Sequence, residues 1–151
     1  MENSIIKEKI ICSGALFYAK STKKFLLLQK SRGKHIGTWG LVGGTNLANE
    51  NPWQGLQREI EEEIGFFPNI IKTLPLEKFV SNDSVFNFHT YFCIVEDEFI
   101  PILSDEHIAY AWANIDYAPI IKDFNGDGIP DIWSSPQLLV SGNGKWTRRT
   151  Y

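Results

Sequence analysis

Four glutamates crowd into five residues of this chain, Glu59, Glu61, Glu62 and Glu63, directly after Arg58. On a helix turning about 100° per residue, side chains three and four apart are neighbours, so Glu59, Glu62 and Glu63 share one flank. Glu61 points elsewhere, and Arg58 lies beside Glu62. Like charges at this spacing repel by roughly 0.2–0.5 kcal/mol per pair, and by more where the flank is partly buried and the pKa values rise. A divalent cation reverses that penalty. Hard ions such as Mg²⁺ or Mn²⁺ suit a site of carboxylates, carbonyls and water. A solvated acidic face is the alternative for such a run.

The helix that must carry these groups has legible ends. Asn51 suits the N-cap, Pro52 the first helical position, where its missing N–H is no loss, and Gln54 the capping-box position. Gly65 is placed for the left-handed turn that stops a helix. Trp53, Leu56, Ile60 and Ile64 fall on one stripe and form the core face.

The whole stretch 44–66 resembles the Nudix box, Gly-x5-Glu-x7-Arg-Glu-U-x-Glu-Glu-x-Gly-U, with U a bulky apolar residue. Gly44, Glu50, Arg58, Glu59, Ile60, Glu62, Glu63, Gly65 and Phe66 fill its fixed positions. Trp39 to Gly44, WGLVGG, resembles the strand that enters the box in this family, with Val42 where a proline is usual. Glu106-His107 followed by Trp112 resembles a Glu-His…Trp segment that many Nudix proteins carry late in the domain.

The resemblance covers about residues 8–116 and implies an α/β/α sandwich, with a mixed β-sheet between helices. It implies Glu59 and Glu63 as Mg²⁺ or Mn²⁺ ligands, Glu62 as ligand or base, and a metal-coordinating carbonyl, that of Gly43. Arg58 would hold a carboxylate in its rotamer, and Glu50 would pair with Arg58 or support the loop. Glu106, with Asp105 behind it, would supply a ligand or the general base. The implied reaction is hydrolysis of a nucleoside diphosphate linked to another group, by water attack on phosphorus. A nucleotide sugar or an ADP-ribose-like compound is favoured. A dinucleoside polyphosphate or nucleoside triphosphate hydrolase and a non-catalytic nucleotide-binding module are the alternatives.

The rest of the chain must present these groups. Residues 8–19 and 25–31 read as buried strands, simplest as a hairpin, and 85–95 and 108–115 as further strands. Residues 67–74 read as a connector, with an edge strand from Leu76 to Val80. The loop 32–38 is basic, and Arg32 and Lys34 could face a phosphate or be plain surface charge. Gly43 and Gly44 let the backbone approach a ligand closely. Trp39, or aromatics near Phe86 and Tyr91, could stack on a base or sugar. His89, inside a strand, reads as packed or surface-exposed rather than catalytic.

Residues 123–131, DFNGDGIPD, match the first part of an EF-hand-type calcium loop through Asp123, Asn125, Asp127 and Asp131. The stretch also resembles the calcium loop of integrin-type propeller repeats. Ser134 stands where a bidentate glutamate would complete an EF-hand, and a metal-free turn is the alternative.

The 151 residues suit one domain, with 117–151 an atypical extension. A net charge of −3 disfavours a nucleic acid polymer as partner, but not a small nucleotide. No apolar run approaches the ~20 residues that span a bilayer, and the N-terminal stretch lacks the apolar block of a signal peptide, so a cytoplasmic location is expected. Cys12 and Cys93 lie in apolar runs and read as small buried side chains. The resemblance allows a homodimer, although no residue of the chain decides it.

Overall fold

The computed structural model describes residues 8–114. The calcium-loop residues Asp123, Asn125, Asp127 and Asp131 therefore lie outside the described residues.

The first strand, β1 (Ile10–Ala19), is the spine of the sheet. Its central residues are buried on both faces, as the mainly apolar run requires, and the one polar side chain among them, Ser13, donates to the Pro52 carbonyl. Along its full length it pairs in parallel with β6 (Phe86–Val95), which pairs antiparallel with β5 (Ile70–Val80) at the sheet edge. On its other side, β1 forms the expected hairpin with β2 (Lys24–Lys30), but only at Tyr18 and Ala19. Beyond that point β2 departs from β1, and the chain fills the fork. Residues Trp39–Gly40 (β3) pair with Gln29 and Leu28 of β2, then Val42–Thr45 (β4) pair with Ala15 back to Cys12 of β1. The last described strand, β7 (His107–Ala113), covers the far side of β2.

One helix is described, α1 (Pro52–Ile64), and it lies on β1 and β4. Both its ends follow the sequence. The Asn51 side chain accepts from the Gln54 N–H at 2.8 Å, and the Gln54 side chain accepts from the Asn51 N–H at 3.0 Å. Gly65 adopts φ 87° and donates its N–H to the Glu61 carbonyl. Leu56, Ile60 and Ile64 are fully buried among Ala15, Phe17, Leu26, Leu28, Val42 and Cys93, with Trp53 packed at the margin. Asn51→Ala removes the side-chain acceptor of the Gln54 N–H, leaving the arm from the residue-51 N–H to Gln54, and is expected to cost about 1 kcal/mol, read as a lower denaturant midpoint at unchanged slope.

The connector expected over 67–74 is corrected. The edge strand starts at Ile70 and runs for 11 residues. Pro75 lacks an N–H and is tolerated because β5 is the sheet edge, where the register shifts between Pro75 and Glu77. A second shift, between Ile70 and Lys72, broke the alternation that would have marked the strand. Cys12 and Cys93 are both free and buried. Among the described residues, no helix is long and apolar enough to cross a membrane.

Candidate active site

The buried stripe of α1 fixes where its acidic flank falls. With Ile60 and Ile64 locked in the core, Glu63 is carried inward as well and is only 5% exposed. Its Oε1 accepts the N–H of Gly43 at 2.9 Å. Burial holds the Glu63 carboxyl well above the ordinary carboxylate range. The Gly43 N–H opposes that shift, and the charges of Glu59, Glu106 and Glu62 add to it. Glu59, beside it, is also raised, by burial first, with Arg58 opposing. The Glu59 carboxyl lies against the backbone of Gly44, where any Cβ would come within 2.5 Å of it.

Arg58 ties this flank to the incoming loop. Its Nε and Nη2 form a bidentate pair with Glu50 at 2.7 and 3.0 Å, and Nη2 also donates to the Thr45 carbonyl. Nη1 donates to Glu59 at 3.0 Å and to Glu62 at 3.1 Å. One guanidinium thus orients three carboxylates, a task for which its planar fork of donors is suited. Asn46 closes the loop by donating to the carbonyls of Glu50 and Asn51. Gly55 leaves room for the Asn46 amide, which would otherwise meet a Cβ at 2.1 Å.

A cavity of about 320 Å³ opens beside Glu63. It is lined by Lys30, Arg32, Gly33, Leu41, Gly43, Glu63, Glu106 and His107. The topology assembles it: β4 brings Gly43, α1 brings Glu63, and the β2–β7 pair brings Lys30 opposite His107. The Glu106 carbonyl accepts the Ser31 N–H, which anchors that loop to the end of β2. Arg32 stands at the rim in an exposed pair with Asp105 at 3.3 Å. The His107 imidazole is pushed down to about 4, by burial first and then by the charge of Lys30, so it is neutral at pH 7.

The residues singled out in the sequence separate into two groups. Glu63, Gly43, Glu106 and Arg32 meet at the cavity, with Glu59, Glu62, Arg58 and Gly44 forming the network behind it. Trp39 does not line it: it pairs with Gln29 on β3 and is half-buried. Tyr91 packs on Trp53, with ring centroids 5.3 Å apart, and Phe86 packs on Phe79 and Phe88, so these rings have protein partners instead of a base. His89 lines a different hollow with Pro75 and Tyr91, on β5 and β6. Lys30 and His107 were not singled out as site residues. Lys30 keeps the alternating phase of the buried Leu26 and Leu28, and a lysine in that phase at a strand end was the available signal.

The donor set fits a hard divalent ion in chemistry. Glu59, Glu62, Glu63 and Glu106 are all oxygen donors, and each of the other three disfavours the charge on Glu63. Among the described residues, however, no three acidic, His or Cys side chains converge in ligand geometry. Arg58 holds Glu59 and Glu62, and the Gly43 N–H holds Glu63. Spacing places the three carboxylates on one flank, while Arg58 decides where two of them point. Within the protein, Gly43 is engaged through its N–H.

A mixed sheet with an acidic helix laid over a Gly-Gly strand defines a Nudix-type α/β/α sandwich. Comparison with known proteins agrees. A family model described as the NUDIX domain matches residues 11–131, running past residue 116 where the motif resemblance stops. The chain belongs to the NUDIX domain family.

It is 27% identical over 114 residues to the dihydroneopterin triphosphate diphosphatase of Haemophilus influenzae, covering 66% of this chain and 70% of that protein. It is 34% identical over 67 residues to Nudix hydrolase 7 of Arabidopsis thaliana, covering 43% of this chain. The chain spans only about a quarter, 24%, of that protein. In structure it is similar to the NUDIX domain of Shewanella oneidensis NrtR, solved in a complex with ADP ribose. The TM-score is 0.64 at 17% identity, over 77% of this chain and 79% of that one.

Proposed function

We propose that the protein is a Mg²⁺- or Mn²⁺-dependent pyrophosphohydrolase that cleaves a nucleoside diphosphate linked to another moiety, with a nucleotide sugar or an ADP-ribose-like compound as substrate. The observation that carries this reading is Glu63. A carboxylate buried to 5% exposure, repelled by three others and opening on a cavity with Lys30 and Arg32, is costly unless a cation uses it. Glu59, Glu62 and Glu63 would hold the ion. When bound, it neutralises the diphosphate and lowers the pKa of water.

The chain's own residues do the rest. The Gly43 N–H holds the Glu63 rotamer, and Arg58 orients Glu59 and Glu62 through Nη1. Among the described residues, the Glu106 carboxylate has no hydrogen-bond or ion-pair partner, so it is the group free to accept a proton. Water oxygen bonds to phosphorus, the bridging P–O bond breaks, and the water proton passes to Glu106. Little covalent work remains for the protein, so positioning and electrostatics supply the rate.

The test is a panel of ADP-ribose, nucleotide sugars, a dinucleoside tetraphosphate, nucleoside triphosphates and dihydroneopterin triphosphate with Mg²⁺, followed by phosphorus NMR. Cleavage of a diphosphate-linked member at its anhydride is the expected result. Binding without cleavage of any member would overturn it in favour of a nucleotide-binding module.

A further inference from the structure

The acidic network explains one wall of the cavity and leaves the other unexplained. Lys30 and His107 face each other across the β2–β7 pair, where the register shifts between Gln29 and Lys30. Both line the cavity that holds Glu63 and Glu106. Yet among the described residues Lys30 takes part in no ion pair, although two carboxylates share its cavity. Its ammonium lies beside Gly33, where a Cβ would be 4.0 Å away and so leaves it room.

His107 is asymmetric. Its Nδ1 is buried with no hydrogen-bond partner. An orphaned N–H is worse tolerated in a protein interior than an orphaned acceptor, so the proton of the neutral ring belongs on Nε2. No hydrogen bond within the protein engages Nε2 among the described residues, and the residue lines the cavity. Nε2–H is therefore a donor without a protein acceptor, beside an ammonium without a protein anion. A wall of two such donors is matched by an anion that the protein itself does not supply.

We propose that His107 and Lys30 form an anion-binding pair that takes phosphate oxygens of the substrate diphosphate in the cavity that Glu63 and Glu106 also line. This rests on the hydrolytic reading above and adds binding residues to it.

The experiment titrates methylenediphosphonate, a bare diphosphate analogue that water does not cleave, into the full chain at saturating Mg²⁺. Lys30→Met and His107→Leu are each expected to weaken binding by about tenfold or more, the scale of one hydrogen bond to a charged group. Lys30→Arg and His107→Gln, which keep a donor near the same place, are expected to restore most of it. Lys24→Met, on an exposed part of β2, leaves affinity unchanged. A purely structural role would not be rescued by these conservative variants. Unchanged affinity in Lys30→Met and His107→Leu, or no recovery in the conservative pair, would overturn the proposal. If the affinity pattern holds while no nucleotide in the panel is cleaved, the hydrolytic reading alone falls. If a nucleotide is cleaved and affinities stay flat, the wall alone falls.

Discussion

Glu63→Gln is expected to lower turnover by at least ~100-fold while the protein stays folded, because the lost group is a charge that holds the ion against the developing negative charge on phosphorus. Glutamine preserves shape. Its carbonyl oxygen can still accept the Gly43 N–H that Glu63 accepts at 2.9 Å. Stability should move the opposite way. The Glu63 carboxyl is raised well above its ordinary value of 4.5, by burial first. A carboxyl raised in the folded state contributes stability that is fully present below the unfolded pKa and is lost as pH rises through the folded one. In chelator at neutral pH, the glutamine variant is therefore expected to unfold at a higher temperature than the parent, with the gap closing below about pH 4.5. Steady-state assay and thermal unfolding across pH check both halves. Near-parent turnover, or a variant less stable than the parent in chelator, would remove Glu63 from its place at the centre of the site. Opposite signs for activity and stability are the mark of a group retained for chemistry and not for folding.

How much of this was legible in the sequence depended on the range of the interactions. The ends of α1 are set by contacts within a few residues, Asn51 with Gln54 and Gly65 with Glu61, so pattern alone located them. The Arg58–Glu50 pair was readable as one option only through the family resemblance, and its bidentate geometry was not. The register shifts in β5 are set by its pairing with β6, and no local signal overrides the proline in the middle of that strand. The acidic flank shows the same limit. Helical period placed Glu59, Glu62 and Glu63 side by side, but Arg58 and the Gly43 N–H determine where each carboxylate points. His107 and Lys30 sit in separate strands, and only the β2–β7 register brings them together. Trp39 has the chemistry of a stacking ring, but its pairing with β2 gives it a place outside the cavity.

Gly43→Ala is expected to be the most damaging single change to folding among those considered. Gly43 pairs with Gly14 on β1, and a Cβ there would lie 2.0 Å from the Ser13 carbonyl oxygen and 2.7 Å from the Gly14 Cα. These are backbone atoms of the central strand, held on their other side by the ten-residue pairing with β6, so neither can give way. The alternative is for β4 to leave β1, which gives up the pairing from Cys12 to Ala15 and uncovers Val42, fully buried beneath α1. A change that breaks ladder hydrogen bonds and opens the core together falls in the rare class above about 4 kcal/mol, against a total on the order of 5–15 kcal/mol for a domain. Gly44→Ala is the control, one residue away. There a Cβ meets the Glu59 carboxyl at 2.5 Å, the far end of a flexible side chain that can swing aside. That variant is expected to fold with a near-parent urea midpoint and to lose turnover, because Glu59 is displaced from Arg58. Urea melts of the two variants settle the point: equal midpoints would mean that the strand pair yields to a methyl group, and that the close approach of β4 to β1 is not what holds Gly43 under Glu63.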